Sequence, residues 1–374
     1  MPFHTMDSAG EIIRDTIRSS GPLPFEQFMD MALYYPGCGY YTSGGQRIGT
    51  GGGYYTAPYA SSILGILIAR QIAELFDLLG NPSPFQVVEV GAGSGSMADD
   101  IVEASARWHP RFHAALRYVA VERHPIPAVG HAEKITVRES LTGMEPFTGC
   151  IVSNELFDAL PVHVVVMKDR LYEVYVDVRD GRFEEILLPA SATILGHFEA
   201  LGIRPAEGMR TEVNLKARDM LRDMAEVLSR GYVLTIDYGY TAHEYYAPHR
   251  SSGTLVCFHN HLMDSNPYEL VGTKDITSHV DFTSLARWGR QFSLETVGFV
   301  RQGDFVMSLG YDDLLAQIKQ VVNDPITYYR MTSASKFLIL PDAMGDIFKV
   351  MLQQKGSEHL PLPAGFAFRN SIPG

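Results

Sequence analysis

Val87-Val88-Glu89-Val90-Gly91-Ala92-Gly93-Ser94-Gly95 is an apolar run that passes directly into three closely spaced glycines, and from Met97 to Trp108 the apolar residues recur at helical spacing. Strand, tight turn and helix in that order begin a parallel α/β sheet, and the turn falls at the carboxyl end of its strand, where open sheets bind ligands. Glycine lets the backbone turn sharply there and lets a ligand approach the chain closely. The spacing excludes two common occupants. A dinucleotide fingerprint, GxGxxG, needs glycine where Ser96 stands, and a phosphate loop, GxxxxGK[ST], is absent. Glu89, two residues before the first glycine, repels a phosphate and suits a cation.

Outward from this stretch, apolar runs at 117–121, 135–137, 150–152 and 232–236 predict further strands, and 294–300 and 348–352 two more. The residues Leu221, Met224, Val227 and Leu228 share a helix face, and Gly231 is expected to stop that helix. Ser62 to Gly80 predicts an amphipathic helix, since Arg70, Glu74 and Asp77 interrupt it at nearly one-turn spacing and exclude a membrane span. The pattern is that of an α/β, doubly wound, mostly parallel sheet. Between the fourth and fifth strands, 162–166, 171–178 and 183–188 predict an antiparallel β insertion with a hairpin turn at Asp180-Gly181. Ala247 to Val280, with four histidines and few apolar runs, reads as a loop over one end of the sheet. A helix around Ile12, Ile13 and Ile17 precedes a glycine-rich aromatic run from Tyr34 to Thr56, which reads as a flap. The expected division is an N-terminal helix and flap at 1–60, then one domain at 61–374 with insertions at about 162–210 and 245–285.

Composition narrows the function classes. The 374 residues carry 31 Lys+Arg against 43 Asp+Glu, a formal net charge of −12, without the basic footprint that nucleic acid or an anionic membrane requires. Cys38, Cys150 and Cys257 are too scattered for a zinc knuckle or a disulfide framework and fit a reducing compartment. His243, His249, His259, His261 and His279 match no zinc-ligand spacing, so no metal is expected. The first residues lack a secretory apolar region and the Arg-rich character of a transit peptide, which places the protein in a bacterial cytoplasm as an expectation.

The glycine stretch resembles motif I of the class I S-adenosylmethionine-dependent methyltransferases, (E/D)xGxGxG, with a Rossmann-like fold. The resemblance implies that Glu89, Gly91, Ala92, Gly93 and Gly95 surround the methionine end of S-adenosyl-L-methionine. It implies that Glu122, at the end of Tyr118-Val119-Ala120-Val121-Glu122, accepts hydrogen bonds from the ribose hydroxyls. Thr56, Pro58 and Ser61 are expected to close over the cofactor from the flap. After the fourth strand the chain reads Ser153-Asn154-Glu155-Leu156-Phe157-Asp158, without the NPPY-type motif of nucleobase amino-methylating enzymes. It is similar to the Ser-Glu loop with which protein arginine methyltransferases hold a guanidinium. The catalytic candidates are therefore Glu155, Asp158 in place of the missing second glutamate, and Asn154. The alternative is that Asn154 and Asp158 cap a following helix with Glu155 in its first turn.

Several further segments, in one order along nearly the whole chain, resemble the MidA family of bacterial and mitochondrial methyltransferases. These are Gly39-Tyr40-Tyr41, Tyr55-Thr56-Ala57-Pro58, Asn154 to Pro161, Ile236-Asp237-Tyr238-Gly239-Tyr240, Asp275 to Phe282, and Met344-Gly345 followed by Phe348-Lys349-Val350. The mitochondrial member is a complex I assembly factor that symmetrically dimethylates an arginine of a core subunit. The resemblance implies arginine methylation of a protein partner similar to a complex I subunit, with Asp237, Tyr238 and His279 at the acceptor pocket. Asp237-Tyr238-Gly239 has a second reading, a plain turn with Gly239 at positive φ. A small-molecule methyltransferase and a non-catalytic assembly factor are the alternatives, and the sequence leaves a homodimer open.

Overall fold

Strands that are apolar on both faces must be covered on both, and the computed structural model arranges them so; it describes residues 8–43, 58–126, 129–260, 262–322, 324–356 and 360–373. The strands of the main sheet are β1 (Phe85–Val90), β2 (Leu116–Val121), β3 (Ile135–Arg138), β4 (Phe147–Asn154), β5 (Leu228–Tyr240), β6 (Glu295–Arg301) and β7 (Phe348–Lys355). Their order is β6-β7-β5-β4-β1-β2-β3. The steps from β3 through β2, β1 and β4 to β5 are parallel, and β7 runs antiparallel between β5 and β6. The chain leaves β1 toward one side and returns to the other side at β4, so β1 and β4 diverge at a switch point whose crevice opens at their carboxyl ends.

The chain forms two compact units. One comprises Met1–Tyr54, Phe157–Arg218 and Tyr240–Ser284; the other comprises Tyr55–Leu156, Asp219–Gly239 and Leu285–Gly374. In the second, the helix Pro58–Leu78 lays Leu67, Ile68, Ile72 and Leu75 into the core, and Phe76, Phe85 and Phe112 meet with ring centroids 5.5–5.8 Å apart. Among the described residues no helix is long and apolar enough to cross a membrane.

Two glycines set how closely the central strands approach. A Cβ on Gly149 would lie 1.8 Å from the Gln86 carbonyl oxygen of β1, and one on Gly231 would lie 1.9 Å from the Gly149 oxygen. Gly231, at φ +143°, is therefore a strand residue: the helix Leu215–Val227 ends before Leu228, and the expectation that Gly231 stops it is corrected. Gly149→Ala should cost on the order of 3 kcal/mol, since neither neighbouring strand can move aside. Chemical denaturation followed by far-UV circular dichroism would check this.

In the first unit, Leu23–Pro24, His163–Met167, Leu171–Arg179, Arg182–Pro189 and Arg210–Val213 pair antiparallel. The hairpin at Asp180 (φ +51°) and Gly181 (φ +77°) is as expected for a two-residue turn. The insertions expected at about 162–210 and 245–285 both fall in this unit. The stretch 247–280 is not a plain loop. Val256–His259, Leu262–Asp264 and Asp275–Thr277 form a three-stranded antiparallel sheet. Its strands are short, and of their residues only Cys257 and Ile276 are buried in the apolar cluster that holds Phe25, Phe28 and Val164, too few to show an alternation in sequence.

Candidate active site

At the end of β1 the chain curls back over β2. Gly91 and Ala92 donate their N–H groups to the Val121 oxygen at 2.9 and 3.2 Å, and Gly91, Gly93 and Gly95 have φ of +78°, +54° and +79°. The helix Ser96–Trp108 starts directly after them, so its first N–H groups and the loop share one edge. A Cβ on Gly91 would stand 3.0 Å from the Leu156 side chain, and one on Gly95 would stand 3.0 Å from Ile126 and Val129. The loop is thus a cradle that only glycine fits. Glu122 reaches it: one carboxylate oxygen accepts the Gly93 N–H at 2.9 Å and the other accepts the His124 N–H at 3.2 Å.

Glu89 is placed differently. It is 2% exposed and accepts the Tyr118 hydroxyl at 2.8 Å. Burial pushes its carboxyl up to about 8, against the Tyr118 hydrogen bond and with help from the nearby charges of Glu122, Asp100 and Asp99.

The loop after β4 lies beside this cradle, because Leu156, which crowds Gly91, follows Glu155 directly. Asn154 closes β4 opposite Ile236, and Glu155 donates its N–H to the Ile236 oxygen at 3.0 Å. Glu155 is exposed and has φ +50°, a left-handed conformation that strains a non-glycine residue. No helix follows; residues 155–162 are bends and turns before the strand His163–Met167. The helix-capping alternative for Asn154, Glu155 and Asp158 is therefore excluded. Asn154 Nδ2 instead approaches Glu155 Oε1 at 3.4 Å.

At the next strand end, Asp237 is fully buried, accepts the Tyr238 N–H at 2.9 Å and faces Lys349 across the β5–β7 register. Tyr238 packs on Phe348 with centroids 5.4 Å apart, and Lys349 donates to the Asp346 and Ile347 carbonyls. Gly239 continues β5 without a positive φ, so the plain-turn reading is corrected as well.

Asp158 and His279 belong to the first unit. Asp158 is 4% exposed, and its carbonyl accepts the Ser278 N–H at 3.0 Å. The Tyr41 hydroxyl donates to Asp275 at 2.8 Å, and Tyr34 stacks on Tyr41. Burial raises the Asp275 carboxyl to about 7, and the Asp158 charge adds to the rise. His279 donates its backbone N–H to Thr254, and its ring lies 5.2 Å from that of Tyr240. Thr56 lies outside the described residues. Pro58 begins the helix Pro58–Leu78, but its side chain and that of Ser61 lie outside them.

Asp275 carries a testable sign. Its folded carboxyl titrates far above the ordinary 3.8, so its favourable contribution is complete below about pH 4 and is lost as pH rises through about 7. Asp275→Asn, which still accepts from Tyr41, should leave the melting temperature unchanged near pH 4 and raise it at pH 8. Melts across that range would show it.

Sequence reasoning missed Tyr118, Tyr41, Asp275 and Lys349 as partners of site residues. The last three lie inside motifs carried by the family resemblance, whereas Tyr118 had no signal beyond its place on a buried strand.

A model of the S-adenosyl-L-methionine-dependent methyltransferases matches residues 67–300. The chain belongs to that family. A superfamily protein from Burkholderia thailandensis, solved with S-adenosyl-homocysteine bound, superposes with a TM-score of 0.86 at 30% identity, over 97% of this chain and 95% of its own. The native form of such a protein from the same organism gives 0.82 at 29%, with the same coverage. Among curated proteins, the mitochondrial protein arginine methyltransferase NDUFAF7 homolog of Drosophila melanogaster is 25% identical over 93% of this chain and 85% of its own. NDUFAF7 of Mus musculus is 26% identical over 89% and 81%. The cofactor is S-adenosyl-L-methionine and the sheet is that of the class I methyltransferases. The cradle, in which a Cβ at Gly91 or Gly95 would crowd its neighbours, fits that cofactor's close approach to the backbone.

Proposed function

We propose that this methyltransferase modifies a guanidinium nitrogen of an arginine in a protein partner similar to a complex I subunit. The observation that carries the proposal is Glu155: an exposed carboxylate, held in a strained backbone conformation, one residue from the side chain that crowds Gly91. The cofactor supplies an electrophilic methyl on a sulfonium. Gly91, Gly93 and Gly95 give it backbone, and Glu122 takes its ribose hydroxyls by exchanging the Gly93 N–H for them. Glu155 accepts two N–H bonds from the guanidinium, the bidentate geometry that planar cation favours, and so aims one nitrogen. Alignment of that kind supplies much of the rate of a direct displacement. Asp237 and Tyr238 border the same edge of the sheet, Tyr238 offering a ring face to a planar cation. Asp158, with Asp275 and Tyr41, is proposed as the second acid for the acceptor. His279 is proposed as a hydrogen-bond partner there. The names of the curated relatives support arginine as the acceptor. A net charge of −12 favours a basic partner surface.

The test is transfer of a tritiated methyl group from the cofactor into an extract of cells lacking the protein, followed by acid hydrolysis and amino-acid analysis. Label in methylarginine is expected. Label confined to the small-molecule fraction would overturn the acceptor assignment in favour of a metabolite methyltransferase.

A further inference from the structure

The second unit buries an acid beside its glycine loop, among other acids. Glu89 stands two residues before Gly91, at the carboxyl end of β1, and its carboxyl accepts the Tyr118 hydroxyl from β2. Acidic charges also reach it: Glu122 from the end of β2, and Asp99 and Asp100 from the helix Ser96–Trp108. Asp100 is bonded to Ser62 of the helix Pro58–Leu78, and the buried thiol of Cys150 on β4 lies near Tyr118. An ionised carboxylate in such surroundings is costly, whereas the neutral acid with its hydroxyl partner is not.

We propose that Tyr118 is a positioning residue that holds Glu89 beside the glycine loop, that this buried acid is uncharged in the cofactor-free protein, and that binding of the cationic cofactor releases the Glu89 proton to solvent. The inference rests on the loop being the cofactor site. Negative charge then forms on Glu89 only when a positive charge is present to face it. Burial, opposed by the Tyr118 hydrogen bond and helped by the neighbouring acids, places the Glu89 carboxyl at about 8, so it is mostly protonated at neutral pH. A cation within hydrogen-bonding or near-contact range lowers such a value by about 1–3 units, enough to ionise it at pH 7. Affinity for the sulfonium cofactor therefore rises with pH up to about 8. The demethylated product has lost the sulfonium charge, so its affinity changes less, and the preference for cofactor over product widens as pH rises. The consequence is weaker competition by the product for the site under mildly basic conditions.

The experiment is titration calorimetry between pH 6 and 8, in phosphate and in Tris, whose ionisation enthalpies differ. The probes are sinefungin, which carries a protonated amine where the cofactor has its sulfonium, and S-adenosyl-homocysteine. The expected result at pH 7 is release of about 0.5–1 proton with sinefungin and markedly less with S-adenosyl-homocysteine. Glu89→Gln should abolish the release and flatten the pH profile. Tyr118→Phe keeps the buried ring but loses the hydrogen bond that lowers the Glu89 carboxyl, so the midpoint of the profile should move upward. Asp100→Asn should leave the release in place. Thermal melts confirm that each variant is folded. Full binding without proton release, release that persists in Glu89→Gln, or release lost in Asp100→Asn would each overturn the inference while leaving the cofactor site intact. No binding of either probe at any pH would strike the cofactor site itself, and the inference with it.

Discussion

Gly91→Val is expected to raise the dissociation constant for S-adenosyl-L-methionine at least 100-fold, about 2.7 kcal/mol, in a protein that still folds. Two effects combine. The residue sits at φ +78°, where a β-branched side chain is strongly disfavoured, and its Cβ would arrive 3.0 Å from Leu156. Relief of either conflict displaces the turn that brings the Gly93 N–H to Glu122. Calorimetry with the cofactor and with S-adenosyl-homocysteine reads the loss directly. Binding within tenfold of the natural protein would remove this loop as the cofactor cradle.

The second large effect concerns Glu155. Glu155→Gln should lower kcat about 1,000-fold and leave cofactor affinity within about twofold, because it removes the charge proposed to face the acceptor and keeps the size of the side chain. Glu155→Gly separates function from folding more sharply. At φ +50° glycine pays no steric penalty, so this variant should be more stable by about 1 kcal/mol and equally inactive. A gain in melting temperature with loss of methyl transfer is the signature of strain retained for a functional group. If Glu155→Gly kept more than a tenth of the activity, the acceptor role would fall.

The parallel sheet was legible in the sequence because strands buried on both faces leave continuous apolar runs, as 86–90 and 232–236 do. Glu122 was legible because it ends such a run at a fixed distance from the glycines. Four features were not, for separate reasons. Gly231 looked like a helix terminator, and nothing local reveals that its missing side chain makes room for the backbone of β4. The small sheet at 256–277 buries too few apolar residues to print a two-residue period. The hydrogen bond between Tyr118 and Glu89 links neighbouring strands across 29 positions, and only the strand register aligns them. The backbone strain at Glu155 is also invisible in sequence, since glutamate is a residue rarely found there.

The position of β7 has a consequence for how the protein is made. This strand, Phe348–Lys355, follows both β5 and β6 in the chain, yet it lies between them. Until it leaves the ribosome, β5 and β6 have no direct partner in each other and present unsatisfied edges. The sheet that carries the glycine loop therefore closes only after both neighbours of β7 have been made. Its pairings span long stretches of chain, a topology that slows folding and leaves strand edges exposed in the meantime.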